Sequence, residues 1–432
     1  MPTASATDTA RVLSTVLLPV LARGVILRRP RVVALSERLD ADRRAGRLLR
    51  QLRAKYGPEP LRLRIPGRPV AIVLSPEDLR SVLLGSPEPY ALANREKVAT
   101  LAHFEPHGVL VSHGAIRAQR RRFNEAVLDT GKPVHRLTDS ITATIEAQAQ
   151  LPERVTWETF GAMWWRIVRE VVLGPGARDD TTLIEQLNAL RSDANWAYLR
   201  PKRTRLRQRF EERLRHHLAR AEPGSLAALV AATPSGADVD PAGQVPQWLF
   251  AFDAAGIAAY RALALLSAQP DSAERDREYL QAAVLDSVRL WPTTMVILRE
   301  TTRPVGEHPA GSAFVIINSY FQRDPALPYA DRFAPEIWRD GRAQDNWSLV
   351  PFSAGPGACP GRDIVLQMTS TLLATLLDRY RFRLVRKHPL NPAGPLPSVL
   401  DHTGLRFAVR ARERERVSGP AGITPPVVPG SS

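Results

Sequence analysis

The most constraining stretch of the sequence is PFSAGPGACPGRDIVLQ, which runs from Pro351 to Gln367 and contains the only cysteine of the 432 residues. Its glycines allow the backbone to take positive φ or to approach a flat ligand closely, because no Cβ intervenes. Apolar residues at helical spacing follow in RDIVLQMTSTLLATLLDRY, so Cys359 is predicted to lie at a helix N-terminus, where free N–H groups and the helix dipole favour a thiolate. A chain with one cysteine forms no intrachain disulfide and no multi-cysteine metal site. Cys359 is therefore either a small buried residue in a turn or a group that binds a partner by itself.

Four residues of this loop stand in the spacing F-x-x-G-x-x-x-C-x-G, and they are Phe352, Gly355, Cys359 and Gly361. This spacing resembles the haem-binding loop of the cytochrome P450 superfamily, the haem-thiolate monooxygenases. The resemblance implies that Cys359 is the proximal ligand of the haem iron and that its thiolate favours O–O cleavage. The alternative of a cysteine nucleophile needs a nearby histidine and has no family pattern here.

A second match is an acid and an arginine, Asp286 and Arg289, where the family carries E-x-x-R on a helix. Residues at i and i+3 share a helix face and can pair, so aspartate keeps the charges with a side chain one methylene shorter. In the family an arginine in a segment resembling FAPEIW completes this buried network. Ile337 holds that place here, which leaves Arg332 or Arg339 as the alternative third member.

Arginines at two places are predicted to hold the haem propionates. Arg299 lies ten residues after Arg289, where similar proteins place such an arginine, and guanidinium and carboxylate pair in bidentate fashion. The second is expected in SHGAIRAQRRRFNEAVL, which is similar to the family's W/H-x-x-x-R helix. Its arginine is, in order of preference, Arg120, Arg121, or Arg117 with His113. Gly357 stands where the family often has His or Arg, so the propionates depend more heavily on these arginines.

The long apolar stretch WLFAFDAAGIAAYRALALL corresponds to the family's A-G-x-[DE]-T-[TS] helix, whose acid and alcohol relay protons during oxygen activation. Counting back from Pro270, Asp253 takes the place of the acid and Ala254 that of the alcohol, so the hydroxyl is missing. A carboxylate in an apolar helix costs free energy unless it is paired or hydrated, which makes Asp253 a functional candidate beside the plainer interpretation of a salt-bridged residue. We predict that an ordered water or a substrate hydroxyl replaces the alcohol. The positions expected to line the substrate are Phe250, Ala254, Thr293, Thr294, Val296 and residues 90–110.

Outside these motifs the pattern is mainly helical, with β-like runs in LRLRIPGRPVAIVL, TMVILRE and SAFVIIN. The resemblance implies a mainly α triangular prism with a smaller β-rich lobe and haem b between the long helix and the cysteine loop. We divide the chain into an N-terminal extension or helix (1–35), a single haem-thiolate domain (36–413) and a tail (414–432). The tail is rich in Pro, Gly and Ser and is predicted to be disordered.

The implied reaction is the activation of O2 with two electrons and the insertion of one oxygen into a C–H or C=C bond of a small apolar organic molecule, in secondary metabolism. The missing alcohol leaves open an atypical enzyme of this fold that performs oxidative rearrangement, coupling or peroxide-driven oxidation. A non-enzymatic haem carrier or sensor is a more distant alternative. With no flavin or iron–sulfur domain in the sequence, electrons are expected from an acidic ferredoxin or flavodoxin with its reductase.

The formal net charge of +15 comes from arginines scattered along the chain. Without a basic tail or an aromatic-interleaved box this pattern gives little support to nucleic-acid binding, and an acidic protein partner accounts for the same excess. The apolar run VLSTVLLPVLARGVILRRP is broken by Pro19, Arg23 and Gly24 short of the roughly 20 residues that span a bilayer, and no basic region precedes it. We therefore predict a cytoplasmic protein without a transmembrane segment, whose N-terminal helix packs on the fold or touches a membrane surface.

Overall fold

The computed structural model describes residues 2–269, 275–386 and 388–412, so the predicted tail at 414–432 lies outside the described residues. Helices dominate the fold, which confirms the predicted class. They are α1 (Ala6–Val12), α2 (Leu18–Arg23), α3 (Pro30–Arg38), α4 (Ala41–Tyr56), α5 (Pro76–Leu84), α6 (Arg95–Leu101), α7 (Gly114–Leu128), α8 (Thr138–Gln148), α9 (Trp157–Leu173), α10 (Thr181–Ala194), α11 (Thr204–Arg220), α12 (Leu226–Ala232), α13 (Val245–Leu266), α14 (Arg277–Leu290), α15 (Asn318–Gln322) and α16 (Arg362–Arg379).

The strands form two small sheets beside the helices. They are β1 (Leu61–Leu63), β2 (Val70–Ile72), β3 (Tyr90–Ala91), β4 (Arg154–Thr156), β5 (Val296–Thr301), β6 (Ala313–Ile317), β7 (Tyr380–Leu384) and β8 (Arg406–Ala411). The larger sheet has the order β1-β2-β6-β5-β3, and only its β2–β6 pair is parallel; the smaller has the order β4-β8-β7 and is antiparallel. β5, which carries Arg299, is therefore an inner strand whose side-chain directions are fixed by neighbours on both sides.

Helix α13 is apolar around most of its circumference and lies in the centre of the helical core, in contact with α9, α14 and α16. Within the described residues it lies in the one stretch, Ala242–Leu266, that is long and apolar enough to cross a membrane, with a mean hydropathy of 1.6. Of its apolar 18-residue window, 78% is buried inside the protein. A buried core helix can have the same length and composition as a membrane span, so these two properties do not distinguish between them.

The N-terminal segment packs into the fold. The Ala4 N–H donates to the Arg62 carbonyl at 2.9 Å, and the buried Asp8 carboxylate accepts from Lys55 Nζ at 2.7 Å and from Tyr56 Oη at 2.8 Å. Val12 and Val16 belong to the same apolar cluster as the larger sheet. On the sequence we treated residues 1–35 as a separate extension. In the structure this segment packs against the apolar cluster of the larger sheet and is part of the fold.

Candidate functional site

The cysteine loop turns tightly before α16. A 3-10 turn covers Gly355–Gly357, and the Cys359 N–H donates to the Phe352 carbonyl at 2.9 Å. Gly355 has φ +62°, and a Cβ there would lie 2.7 Å from the Leu83 carbonyl oxygen at the end of α5. Only glycine fits this approach, which is the physical reason for its place in the F-x-x-G-x-x-x-C-x-G spacing.

Burial raises the pKa of the Cys359 thiol, and the Gly361 N–H and the Arg121 guanidinium oppose that effect only in part. Our prediction that the helix N-terminus favours a thiolate is therefore wrong for the chain by itself. A cation bonded to the sulfur would reverse the balance, since metal binding deprotonates a coordinating thiol. Within the described ranges, no three His, Cys, Asp or Glu side chains cluster to hold a metal ion.

Cys359 is surrounded by protein but is not fully covered. Burial is the largest influence on its pKa, yet part of its surface is accessible, as it is for the other residues of the loop 351–361. The second half of α13 is buried, whereas Gln247, Phe250, Ala251, Asp253 and Ala254 in its first half are partly accessible. Of these, positions 247, 250, 251 and 254 have the spacing i, i+3, i+4, i+7 of one helix face.

Three cations lie at the edge of the cysteine loop: Arg299 and Arg117 are buried, and Lys97 is partly buried. Arg299 is 2% exposed and donates from Nε to Ser86 Oγ at 2.9 Å and from Nη2 to Ser353 Oγ at 3.4 Å. Lys97 Nζ donates to the carbonyls of Leu92 at 3.0 Å and Leu298 at 3.1 Å. The third, Arg117, donates to the Pro356 carbonyl at 3.5 Å, and its buried Nε has no partner among the described residues.

None of these three cations donates to a carboxylate within the described part of the chain. Burial lowers the pKa of Arg299 to about 10, with a contribution from Arg117, and lowers the pKa of Lys97 well below its usual range. Buried cations without counter-ions are costly unless an anion binds among them. The cluster therefore fits a ligand with carboxylate groups, as the haem propionates are.

Gly357 now has a structural explanation. A Cβ at this position would lie 2.8 Å from Arg299 Nη2 and 3.2 Å from Leu92 Cδ2. The guanidinium of Arg299 takes the space that a side chain at position 357 would need. Arg299, on β5, thus supplies the positive charge that a His or Arg at position 357 would supply.

On α7, the arginines that contact the cysteine loop do not include Arg120, the one we favoured. Arg120 donates to Ser112 Oγ at 2.8 Å and to the Asp238 and Val239 carbonyls at 3.3 Å, so it does not join the cluster. Arg121 donates to the Ala358 carbonyl at 2.6 Å, one residue before the cysteine, and Arg117 lies one turn earlier on the same face. His113 is exposed at the start of the helix. Of the four candidates on this helix, only Arg117 and Arg121 contact the loop.

Lys97 was not identified from the sequence. It lies in α6, in the variable stretch 90–110 that we assigned only to substrate lining, and no spacing or motif singles it out.

The buried acid and arginine pair as predicted. Arg289 donates from Nε to Asp286 Oδ1 at 2.5 Å and from Nη2 to Oδ2 at 3.1 Å, and both side chains are 0% exposed. The guanidinium also donates to three carbonyl oxygens, those of Gln322, Ala330 and Arg332. The two charges therefore sit in a network with hydrogen-bond partners on every side.

Among the described residues, the further partners of Asp286 are a backbone N–H and an indole, and no second arginine side chain donates to it. The Ala334 N–H donates to Asp286 Oδ2 at 2.8 Å and Trp338 Nε1 to Oδ1 at 3.2 Å, next to the buried Ile337. Arg332 contributes its carbonyl only, and the guanidinium of Arg339 points to Asp276 at 3.4 Å. Neither Arg332 nor Arg339 therefore contributes its guanidinium to the network of Asp286 and Arg289.

Asp253, on α13, is ion-paired. Its Oδ2 accepts from Arg191 Nη2 at 2.6 Å, and the Arg191 side chain, on α10, is 1% exposed. Arg191 also donates to the Ile26 carbonyl at 2.8 Å and lies 5.0 Å above the Phe250 ring. Asp253 is thus held by a residue that sequence reasoning missed, and the adjacent Ala254 offers no hydroxyl.

The other predicted lining positions differ in exposure. Phe250 is partly buried and packs edge-on against Phe104 at 5.8 Å, Thr293 and Val296 are partly buried, and Thr294 is exposed. A further buried acid, Glu105, lies near this wall, with its pKa raised well above the usual range by burial. The Gln247 amide, oriented with its nitrogen toward that carboxyl, donates to it at 2.6 and 2.7 Å.

Comparisons with known proteins agree with this geometry. Residues 269–404 match the family model Cytochrome P450. Over 138 residues the chain is 32% identical to cyclooctat-9-en-7-ol 5-monooxygenase of Streptomyces melanosporofaciens, covering 29% of this chain and 30% of that protein. Over 135 residues it is 35% identical to drimenol monooxygenase of Persicaria hydropiper, covering 28% and 25%. The matches thus span less than a third of these relatives.

The likeness of fold extends much further along the chain. A six-coordinated cytochrome P450 from Thermus thermophilus superimposes with a TM-score of 0.64 at 21% identity, over 84% of this chain and 98% of that one. A retinoic acid-bound cyanobacterial CYP120A1 gives the same TM-score at 16% identity, over 84% and 94%.

Proposed function

We propose that this chain is a haem-thiolate monooxygenase of the cytochrome P450 superfamily, which oxidises an apolar part of an organic small molecule with O2 and two electrons. The observation that carries the proposal is the arrangement at the cysteine loop. A single, partly accessible thiol lies beside three cations, two of them buried, that have no carboxylate partner within the described residues. A haem needs one ligand for its iron and cationic partners for its propionates, and this arrangement offers both.

In this proposal haem b lies between the cysteine loop and the accessible face of α13. Cys359 binds the iron, while Arg299, Lys97 and Arg117 bind the propionates. Arg121 fixes the carbonyl before the cysteine, and the Phe352 carbonyl holds the Cys359 N–H. When bound, the haem supplies the iron at which O2 is reduced, and the thiolate favours cleavage of the O–O bond.

Electrons are proposed to come from an acidic ferredoxin or flavodoxin with its reductase. Arg122 on α7 and Arg362 at the start of α16 are exposed on the two helices that flank the cysteine loop. The net charge of +15 would steer an acidic partner, and that attraction weakens as salt is added. A cytoplasmic location and a role in secondary metabolism belong to the same proposal.

The test is the spectrum of the reduced protein with carbon monoxide, which should show the Soret band of a thiolate-ligated haem. Cys359→Ala should abolish that band. Arg299→Gln and Lys97→Met should each weaken haem retention, measured as haem transfer to apomyoglobin. Arg120→Gln is the matched control on α7 and should retain haem as the unaltered protein does. A colourless protein, or an unchanged band in Cys359→Ala, would refute the proposal.

An atypical use of the same haem is the second candidate function. It is supported by two observations at α13: Ala254 has no hydroxyl, and the neighbouring Asp253 is held by Arg191. A site with this pairing is less suited to proton delivery from a mobile acid and alcohol. Turnover with hydrogen peroxide in the absence of redox partners, or a product without an added oxygen atom, would favour this candidate.

A further inference from the structure

A segment of the N-terminal region, residues 24–29 between α2 and α3, is fastened to α10 and its C-terminal cap. Asn195 Oδ1 accepts from the Ile26 N–H at 3.0 Å, and its Nδ2 donates to the Leu27 carbonyl at 2.8 Å. Arg191, which holds Asp253, donates to the Ile26 carbonyl. We call residues 24–29 the strap. Its position is therefore coupled by hydrogen bonds to the wall of the candidate site that contains Asp253.

The strap directs one cation, Arg28, inward. Its guanidinium donates to the carbonyls of Gly24 and Thr293, and Thr293 precedes the strand that carries Arg299. Burial is the largest influence on the pKa of Arg28 and lowers it to about 9, although part of the side chain is accessible. Arg28 is thus covered by protein only in part, and it stays positively charged at neutral pH.

Arg28 has no carboxylate of its own among the described residues. The charged groups that influence it most are Arg23, Arg261, Asp253 and Arg191. Of the two nearby carboxylates that form ion pairs, Asp42 is taken by Arg23 at 2.6 Å and Asp253 by Arg191 at 2.6 Å.

Arg261 adds to the excess of positive charge. It donates to the carbonyls of Trp291 at 3.0 Å and Leu400 at 2.6 Å, and Asp401 acts on it only through space. In the described part of the chain, this region therefore holds four guanidiniums and three carboxylates, and both Arg28 and Arg261 lack a carboxylate contact. Of these two, Arg261 is buried, whereas Arg28 is partly accessible and can meet a ligand. A largely desolvated cation without a counter-ion is stabilised when an anion binds beside it.

We propose that Arg28 binds a carboxylate of the substrate, so that the substrates are organic acids with an extended apolar body. The apolar body would lie along Phe250, Ala251 and Ala254, the accessible face of α13. One uncompensated positive charge matches the single charge of a carboxylate better than the double charge of a phosphate monoester. This inference rests on the proposed function, because it names the substrate class of the same site.

The experiment uses the haem-loaded protein and titrates long-chain and diterpenoid acids, each beside its methyl ester and its alcohol. Binding is followed by the shift of the haem absorbance and, independently, by equilibrium dialysis. The acid should bind about 10- to 100-fold more tightly than its ester, the range expected for one charge-assisted contact. Arg28→Gln should remove the preference, and Arg28→Lys should restore part of it.

The matched control is Arg29→Gln, since Arg29 is the next strap residue and its guanidinium lies 4.3 Å over the Trp196 ring. This variant should keep the preference for the acid. Equal binding of acid and ester by the unaltered protein, or an undiminished preference in Arg28→Gln, would overturn the proposal. The first of these comparisons needs no variant, so it holds even if Arg28→Gln does not fold.

The two proposals fail in different ways. Absence of the thiolate-type band with carbon monoxide contradicts the haem-thiolate function, while equilibrium dialysis still measures the preference for the acid. A normal band with no such preference contradicts only the assignment of Arg28.

Discussion

Removal of the buried carboxylate in Asp286→Ala should be strongly destabilising. Arg289 would keep its three carbonyl partners but lose its carboxylate, in a place where both side chains are 0% exposed. An uncompensated buried charge of this kind costs about 3–5 kcal/mol. The Ala334 and Trp338 N–H groups would lose their acceptor as well, at about 1 kcal/mol each after partial relaxation. The expected loss is about 5–7 kcal/mol, a large share of the ~5–15 kcal/mol of a typical domain.

The assay is urea unfolding followed by far-UV circular dichroism and by haem absorbance, on Asp286→Ala, Arg289→Met and the double variant. Because most of the cost comes from the orphaned charge, Arg289→Met should relieve part of it, with a coupling energy of about 2 kcal/mol or more. The control is Glu211→Ala, whose pairs with Arg207 at 3.4 Å and Arg215 at 3.7 Å are partly exposed. That change should cost at most about 1 kcal/mol. A loss below about 1 kcal/mol in Asp286→Ala, or strict additivity in the double variant, would refute this reasoning.

Three further changes have defined outcomes. In Gly256→Ala the new Cβ would lie 2.5 Å from the buried indole of Trp164, so thermal unfolding should show a loss of about 1–3 kcal/mol, and an unchanged midpoint would contradict the packing. Gly357→Ala should displace the Arg299 guanidinium and speed haem transfer to apomyoglobin. The urea midpoint of the haem-free protein should stay nearly unchanged. Equal transfer rates in the variant and the unaltered protein would mean that Arg299 does not hold a propionate. Burial raises the pKa of Glu105 above 4.5, so the folded protein binds the carboxyl proton of Glu105 more tightly than the unfolded chain does. The stability that this proton contributes is therefore lost as pH rises from about 4.5 through the folded-state pKa. The stability of Glu105→Gln relative to the unaltered protein should therefore increase over that range, and a pH-independent difference would count against a protonated Glu105.

The parts of the site that the sequence predicted are those fixed by short-range geometry. The glycines and the cysteine lie within ten residues, so one loop conformation determines all of them. Asp286 and Arg289 pair because residues three apart share a helix face. These relations depend little on the rest of the chain: in the structure the loop turns at Gly355–Gly357, and Asp286 pairs with Arg289.

The arginine on α7 shows where such reasoning stops. Consecutive helix residues differ by about 100° in direction, so an error of one position turns the side chain toward another part of the protein. Arg120 accordingly contacts residues 238 and 239, while Arg121 reaches Ala358. The sequence contains no marker of this rotation, because it depends on how α7 packs against a loop that is distant along the chain.

Asp253 shows that the sequence can locate a residue and still leave its chemical role undefined. The helix pattern correctly identified an acid in an apolar environment, but its role depends on a partner 62 residues earlier, on α10. Since Arg191 also holds the strap through the Ile26 carbonyl, Asp253, α10 and residues 24–29 form one connected unit. A movement of the Arg191 guanidinium away from Asp253 would also break its hydrogen bond to the Ile26 carbonyl and so loosen the segment that carries Arg28. Asp253 and the proposed substrate contact at Arg28 are thus linked through a single arginine, which neither a motif nor a spacing in the sequence records.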